Sequence, residues 1–229
     1  SGTISINGHR LREEDKAIIG YLPEERGLYQ KVSVAEMLTY LGELKGKSRK
    51  DLQVSINFWL ERFDLLEWKN KPINELSKGM SQKVQFIASI NHDPSVILFD
   101  EPFAGLDPVS ADVLTETIME LGNQGKTILF STHITEHAER ICSDILLMHK
   151  GKKIESGSLR EIKSKYAGNT VILEFDGNGG FIETLPMVEQ IVSYPRRVEV
   201  RLKPSADPDE LLKAVVGRIT IQRFELSAP

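Results

Sequence analysis

The sequence predicts an α/β protein with a mostly parallel sheet and a helical insert, followed by a small α+β domain. Two apolar runs, Ser95–Phe99 and Thr127–Phe130, have the length and composition of buried parallel strands. Polar residues follow both runs, and helical patterns lie before and between them. A change in composition at Ala167-Gly168-Asn169 divides the chain into a domain at residues 1–166 and a smaller domain at residues 167–229.

The composition is that of an ordinary globular protein. The chain has 229 residues, of which 40% are hydrophobic and 27% charged, and its formal net charge is -4. The slight acidic excess argues against nucleic acid as a partner. The single cysteine, Cys142, excludes an internal disulfide, and its apolar neighbours favour a buried, unreactive thiol. No apolar run approaches the length of a membrane span, so any link to a membrane is expected to pass through a partner.

The N-terminal part predicts a hairpin, a strand and a mostly helical subdomain at about residues 33–90. Thr3–Ile6 alternates polar and apolar residues before an Asn-Gly turn, and Ala17–Leu22 forms the next strand. A capping box predicts that a helix begins at Ser33. Ser48 predicts the start of a second helix, whose apolar residues keep helical spacing as far as Phe63.

A third helix is predicted from Ser77 to about Ile90. Ser77 is a natural N-cap, and the free N–H groups of a helix N-terminus favour an anion. Gly79 allows the backbone to approach such an anion closely. An isolated Ser-x-Gly is more simply a plain helix cap, so this stretch alone does not assign an anion site.

Two adjacent acids, Asp100 and Glu101, end the central apolar strand. Ligands bind at this edge of open α/β sheets, and two neighbouring carboxylates are costly there unless something uses them. Asp100 suits Mg²⁺ that bridges nucleotide phosphates, and Glu101 suits a base that orients water. The alternative is that both acids are solvated and cap the following helix.

The remaining elements of the first domain follow from caps and apolar runs. Asp107 caps a helix that has Pro108 at its first position and runs to about Gly122. The buried strand Thr127–Phe130 ends in Ser131-Thr132-His133, again at the ligand edge. A third strand, Ile145–Met148, turns into an edge strand through Ile154, and Ser158 caps a last helix to about Tyr166.

The C-terminal domain is predicted as a compact α+β unit without a catalytic constellation. The pattern indicates strands at 170–175, 188–193, 197–202 and 219–226, a short helix after the glycine-rich turn at 177–180, and a helix at 207–216. We expect this unit to serve as a scaffold, a dimer contact or a regulatory element.

With these residues in place, the chain resembles the ATP-binding subunit of an ABC transporter over roughly residues 1–165. Leu76–Met80 resembles the signature motif, and Val96–Glu101 resembles Walker B followed by the catalytic glutamate. Ala104–Asp107 resembles the D-loop, and His133 stands at the position of the switch histidine. The stretch Ile19–Tyr29 is similar to that of bacterial sodium-efflux and drug-resistance ATPases, which also carry a C-terminal appendage.

The chain departs from the family pattern in three ways. Glu24 stands at the Q-loop position, and the signature motif contains Lys78 and Met80 where the family has Gly and Gln. No P-loop (Walker A) is present: the string Gly42–Ser48 has one residue too few between its glycines and lies in the helical insert. The fold implied is therefore a truncated P-loop NTPase of the ABC type. We expect the chain to be a piece of a longer protein whose P-loop lies upstream.

The resemblance implies an ATPase that binds ATP and Mg²⁺ between two subunits, as a homodimer or a heterodimer, and drives a transmembrane permease. The implied location is cytoplasmic, at the inner face of the cell membrane, and export is the implied direction. The site residues implied are Glu101 and His133 for catalysis, Asp100 for Mg²⁺, and Ser77, Gly79, Glu24 and Asp107 for the nucleotide.

Three other interpretations fit parts of the sequence. An ABC-type ATPase of DNA repair or chromosome maintenance usually has a long coiled coil, and no sustained heptad array is present here. A second interpretation is a non-catalytic interaction module. It fits this chain alone better than it fits the longer protein of which the chain is expected to be a piece. The string His133–His137 matches an inverted zinc-protease motif, but His133 closes a strand and is expected to precede the helix that this motif requires.

Overall fold

A computed structural model describes residues 2–25, 27–166, 170–204 and 206–226. Contacts between Cα atoms divide the chain into two compact units, Ser1–Ile141 and Cys142–Pro229. The domain boundary predicted between residues 166 and 167 falls inside the second unit and stays a prediction. The change in composition at 167–169 lies outside the described residues.

The first unit combines a small hairpin, a three-stranded parallel sheet and five α-helices among its described residues. Short 3₁₀ helices also occur, at Glu14–Ile18, Leu66–Trp68 and Ile73–Glu75. The strands are β1 (Ser5–Ile6), β2 (His9–Arg10), β3 (Ile19–Leu22), β4 (Val96–Asp100) and β5 (Thr127–Ser131). The helices are α1 (Val34–Leu44), α2 (Arg49–Arg62), α3 (Lys78–Ile90), α4 (Pro108–Asn123) and α5 (Thr135–Ile141).

The four predicted helix starts are confirmed with their caps. Ser33 and Glu36 form a reciprocal capping box at α1, in which the Ser33 N–H donates to Glu36 Oε2 at 2.9 Å. The side chains of Ser48, Ser77 and Asp107 each accept a hydrogen bond from the backbone N–H three residues on. Local sequence chemistry therefore determines where these helices begin.

The sheet is parallel, with strand order β3-β4-β5. Leu22 pairs with Phe99, and Phe99 pairs with Phe130, so the carboxyl ends of all three strands lie at one edge. Phe86 of α3 stacks on Phe99 with ring centroids 4.9 Å apart, and Phe63 of α2 packs edge-on against Phe86 at 5.5 Å. These rings join the helical insert to the central strand in one core.

Three predictions about the sheet are corrected by the structure. Ile97 and Phe99 of β4 are buried, but the residues on the other face of β4 are only half-buried. The predicted buried strand β5 is largely exposed, with Leu129 64% exposed, because β5 pairs only with β4 among the described residues. The predicted third strand of the sheet, β6 (Asp144–His149), instead pairs antiparallel with β7 (Lys152–Ser158) as a separate hairpin.

The second unit holds that hairpin, α6 (Leu159–Tyr166) and a four-stranded antiparallel sheet of strand order β11-β8-β10-β9. Its elements are β8 (Thr170–Asp176), a 3₁₀ turn at Ile182–Thr184, β9 (Val188–Tyr194), β10 (Arg197–Leu202), α7 (Pro208–Val215) and β11 (Thr220–Leu226). This order is the split βαβ arrangement. The predicted elements are confirmed.

Cys142 is half-buried, and burial raises the pKa of its thiol.

None of the helices in the described ranges combines the length and the apolar character that crossing a bilayer requires.

His92 lies in the turn that follows α3, and the structure buries it to 2% exposure. Its Nε2 lies 3.2 Å from the Ile19 carbonyl oxygen, to which it donates, and its Nδ1 has no partner among the described residues. Burial lowers the pKa of His92 from 6.5 to about 4; the bond to Ile19 opposes this shift, and the positive charge of Lys45 adds to it.

This burial predicts acid sensitivity. The pKa of His92 is lower in the folded chain, so its stabilising contribution is present above pH 6.5 and is lost as pH falls toward 4. The loss reaches roughly 3 kcal/mol. We expect the free energy of unfolding, measured by urea titration, to fall less between pH 7.5 and pH 4.5 in His92→Gln than in the wild type. The exposed His149→Gln is the control, and an equal loss in all three proteins would contradict the prediction.

Candidate functional site at the carboxyl edge of the sheet

The parallel strands bring four of the predicted site residues to one edge. Glu24 lies two residues beyond β3, Asp100 ends β4 and Glu101 follows it, and His133 lies two residues beyond β5. Asp100 pairs with Ser131 across the sheet. The side chains of Glu101 and His133 are in direct contact, whereas Glu24 is exposed in its own loop.

Glu101 and His133 form the best-defined contact of the site. One carboxylate oxygen, Oε1 of Glu101, accepts from the His133 backbone N–H at 3.0 Å and lies 2.8 Å from Nδ1 of the same residue. Because a carboxylate only accepts, the ring carries its proton on Nδ1 in this contact. The imidazole is 79% exposed and the Glu101 side chain 19% exposed, so Nε2 remains available to a ligand at the edge.

The backbone of Glu101 adopts the left-handed region, with φ +46°. This conformation costs a residue other than glycine about 1 kcal/mol, and such outliers cluster at functional sites. The Glu101 N–H donates to the Ser131 carbonyl at 3.2 Å, which ties the turn after β4 to the end of β5.

Asp100 and Ser131 supply oxygen ligands beside this pair. The Ser131 hydroxyl donates to Oδ1 of Asp100. A carboxylate and a hydroxyl are hard oxygen donors of the type that Mg²⁺ prefers, and Mg²⁺ is usually held by one or two carboxylates together with substrate phosphates. The residues present therefore fit a magnesium ion that is shared with a nucleotide.

Ser77 and Gly79 lie at the start of α3, where Gly79 comes close to Gly105. Ser77 accepts from the Met80 N–H at 3.2 Å and leaves the N-terminal turn of α3 exposed. A Cβ atom at Gly79 would lie 3.2 Å from the Gly105 carbonyl oxygen. Gly105 itself has φ +76° and would bring a Cβ to 3.0 Å from the Lys78 side chain. The first turn of α3 and the turn at Gly105 therefore approach each other closely because both have glycine.

Asp107 lies at the start of α4, exposed, and accepts from both the hydroxyl and the N–H of Ser110. These two hydrogen bonds hold the pKa of the Asp107 carboxyl below its usual range. Its position fits both a helix cap and a contact at a subunit seam, and the hydrogen bonds establish the cap.

Three polar residues of the site were not predicted from the sequence. Ser131 bonds to Asp100, Gln82 donates to the Pro102 carbonyl at 3.2 Å, and Gln85 donates to the carbonyls of Pro23 and Glu25. The available signal was that both glutamines lie on the apolar face of an amphipathic helix, where an amide needs a partner.

The zinc-protease alternative does not agree with the local geometry. His133 lies before α5, as expected, and contacts Glu101, whereas the ring of His137 stacks on Phe103 at 3.9 Å. Within the described ranges, no group of three or more His, Cys, Asp or Glu side chains is arranged to hold a metal ion. The string Gly42–Ser48 also lies between α1 and α2, not after a strand.

Comparisons with known proteins agree with this architecture. Residues 1–104 match the family model described as ABC transporter, and residues 157–229 match the model of the DrrA1-3-like ATP-binding protein C-terminal domain. An uncharacterized ABC transporter ATP-binding protein of Alkalihalophilus pseudofirmus is 38% identical over 100% of this chain and 85% of its own length.

A relative and a solved structure extend the likeness. A probable multidrug ABC transporter ATP-binding protein of Escherichia coli, YbhF, is 31% identical over 93% of this chain and 38% of its own length. A solved structure described as the ATP binding subunit of an ABC transporter is 32% identical, with a TM-score of 0.67, and the match covers 72% of this chain and 70% of that one. At this identity the likeness extends beyond a shared fold.

Proposed function

The chain belongs to the family of ABC transporter ATP-binding proteins, and from this we propose that it is part of a subunit that hydrolyses ATP to drive an export permease. The observation that carries the proposal is the contact between Glu101 and His133 at the carboxyl edge of β4 and β5. It places a base and a hydrogen-bonding ring side by side, at the edge where α/β sheets bind ligands.

Glu101 acts as the base that orients and polarises the attacking water. Its Oε2 oxygen stays available while Oε1 is held by His133 at 2.8 Å. His133 uses Nδ1 to hold the glutamate and Nε2 to contact the γ-phosphate. Loss of that phosphate is thereby coupled to the position of Glu101. Catalysis of this kind consists of positioning and charge stabilisation.

Asp100 holds Mg²⁺, directly or through water, with the hydroxyl of Ser131 beside it. When bound, the ion neutralises charge that develops on the phosphate oxygens. Metal binding by Asp100 and Ser131 does not compete with the role of Glu101 as a base, because the side chains of consecutive residues leave the backbone in different directions.

A second copy of the subunit, identical or related, completes the site. The N-terminal turn of α3 is exposed and a helix N-terminus favours an anion, so Ser77 and Gly79 reach the γ-phosphate bound by the other subunit in a head-to-tail dimer. Asp107 lies at the seam. Closure then depends on the γ-phosphate, and hydrolysis opens the dimer.

Glu24 and the helical insert transmit this motion to a transmembrane permease. The insert, α1 to α3, shares its core with β4, so a displacement at the nucleotide reaches it through packed side chains. The subunit is accordingly placed at the cytoplasmic face of the membrane. The name of the E. coli relative, a probable multidrug ABC transporter ATP-binding protein, supports export.

Nucleotide affinity tests the proposal. The described residues contribute a base, a metal ligand and a helix N-terminus, but the phosphate cradle and its lysine are proposed to lie upstream of Ser1. For the chain as printed we expect negligible ATPase activity, measured by phosphate release, and weak ATP binding, measured by calorimetry. The chain extended upstream through its phosphate-binding loop is expected to bind ATP at micromolar concentrations. Micromolar affinity of the printed chain, or none in the extended one, would contradict the proposal.

A further inference from the structure

Two glutamines on one face of α3 connect this helix to the loops that carry the acidic site residues. Gln82 and Gln85 are three residues apart, and each is only 4% exposed. Gln85 Nε2 donates to the Pro23 carbonyl at 3.1 Å and to the Glu25 carbonyl at 3.0 Å. Gln82 Nε2 donates to the Pro102 carbonyl at 3.2 Å, immediately after Glu101.

The geometry at Gln85 is specific to a side-chain amide. Both acceptors are backbone carbonyls, so the NH₂ group must face them, and its two hydrogens are both used. The Oε1 atom is buried and has no hydrogen-bond partner among the described residues, which is unfavourable for a polar atom. The residue is therefore better explained by its two donors than by packing, since an apolar side chain of equal size would avoid the buried oxygen.

The two bonds of Gln85 bracket Glu24. The carbonyls of Pro23 and Glu25 are fixed to α3, and the Glu24 side chain between them is exposed toward solvent. Gln85 lies eight residues, or about two helical turns, from Ser77 at the start of the same helix. A displacement of the N-terminal turn of α3 is therefore transmitted to the Glu24 loop without an intervening flexible segment.

We propose that Gln85 is a positioning residue that fixes Glu24 to the signature helix α3, so that engagement of the N-terminus of α3 by nucleotide sets the position of the Glu24 carboxylate. This inference rests on the ATPase function proposed above and adds a residue to it. Gln85 does not touch the nucleotide; it acts through Glu24. Gln82 holds the loop after Glu101 to the same helix in the same way.

The first test is Gln85→Met in the intact, P-loop-containing protein, with ATPase rates measured by phosphate release. Methionine keeps the length of the side chain and removes both donors. We expect kcat to fall roughly 10- to 100-fold, as small misplacements of catalytic groups do, with KM for ATP changed less than about twofold. Ser89→Ala is the matched control, because the buried Ser89 hydroxyl donates only within α3, to the Phe86 carbonyl.

A double variant separates positioning from general destabilisation. If Gln85 acts through Glu24, Gln85→Met causes no further loss of kcat in a Glu24→Ala background. An additive loss would overturn the proposal, as would a Gln85→Met protein that matches Ser89→Ala. If Glu101→Gln abolishes turnover while Gln85→Met does not lower it, the ATPase function stands and this inference fails. If wild type and Glu101→Gln hydrolyse ATP equally, the proposed function fails first.

Two further measurements keep the test decisive if Gln85→Met does not fold. Gln85→Glu keeps size and polarity but lacks both N–H donors at pH 8, and it is expected to reproduce the loss of kcat. In the wild-type protein, hydrogen exchange on ATP addition is expected to slow together in peptides covering 20–25 and 78–85. Protection of α3 without protection of the loop would overturn the inference.

Discussion

Replacing Glu101 by Gln in the intact protein is expected to lower kcat for ATP hydrolysis on the order of 10²- to 10⁴-fold. The amide keeps the shape of the side chain and its contact distance to His133, which is 2.8 Å in the wild type, but it cannot accept a proton from water. Binding groups are unchanged, so ATP is still expected to bring two subunits together. Phosphate release measures the first effect, and size-exclusion chromatography with ATP measures the second.

Glu116→Gln provides the control for this experiment. Glu116 is an exposed glutamate on α4, so the same chemical change is made away from the carboxyl edge of the sheet. We expect this variant to hydrolyse ATP at the wild-type rate. Normal turnover by Glu101→Gln would remove Glu101 from the mechanism, and loss of the ATP-dependent dimer would show that the substitution disturbs binding instead.

The helix starts and most strands could be predicted because their determinants are local. Ser33, Ser48, Ser77 and Asp107 each cap a helix through a bond to a residue three positions on, and such a bond depends on a few residues in sequence. The exposure of β5 and the burial of His92 could not be predicted in the same way. Both features depend on which helices and strands pack against the residue in the folded chain, and the local sequence pattern contains no information about those neighbours.

The location of the site could be predicted as far as the parallel pairing of the strands could be predicted. Asp100, Glu101 and His133 were expected at one edge because each follows an apolar run, and parallel pairing of β4 with β5 places them there. The partners Ser131, Gln82 and Gln85 were not predicted. Their side chains are small or neutral, and their contacts are to residues 19 to 62 positions away or on a neighbouring strand. Only tertiary structure identifies which amide meets which carbonyl.

His133→Ala is expected to reduce kcat about 100-fold or more, although Glu101 keeps its carboxylate. Without the ring, Oε1 of Glu101 retains only the backbone N–H of residue 133, at 3.0 Å, and the carboxylate is free to rotate away from the attacking water. The proposed contact of Nε2 with the γ-phosphate is lost as well. Phosphate release under saturating ATP measures the effect, with His149→Ala, an exposed histidine at the end of β6, as the control.

A double variant shows whether the two residues act as one unit. Because the side chains of Glu101 and His133 share one hydrogen bond, removing either side chain disables the same arrangement, and such effects are strongly non-additive. We expect the kcat of Glu101→Gln with His133→Ala to stay within about twofold of the slower single variant. If the two losses multiply instead, histidine and glutamate contribute separately, and the coupling of phosphate contact to base position through Nδ1 is wrong.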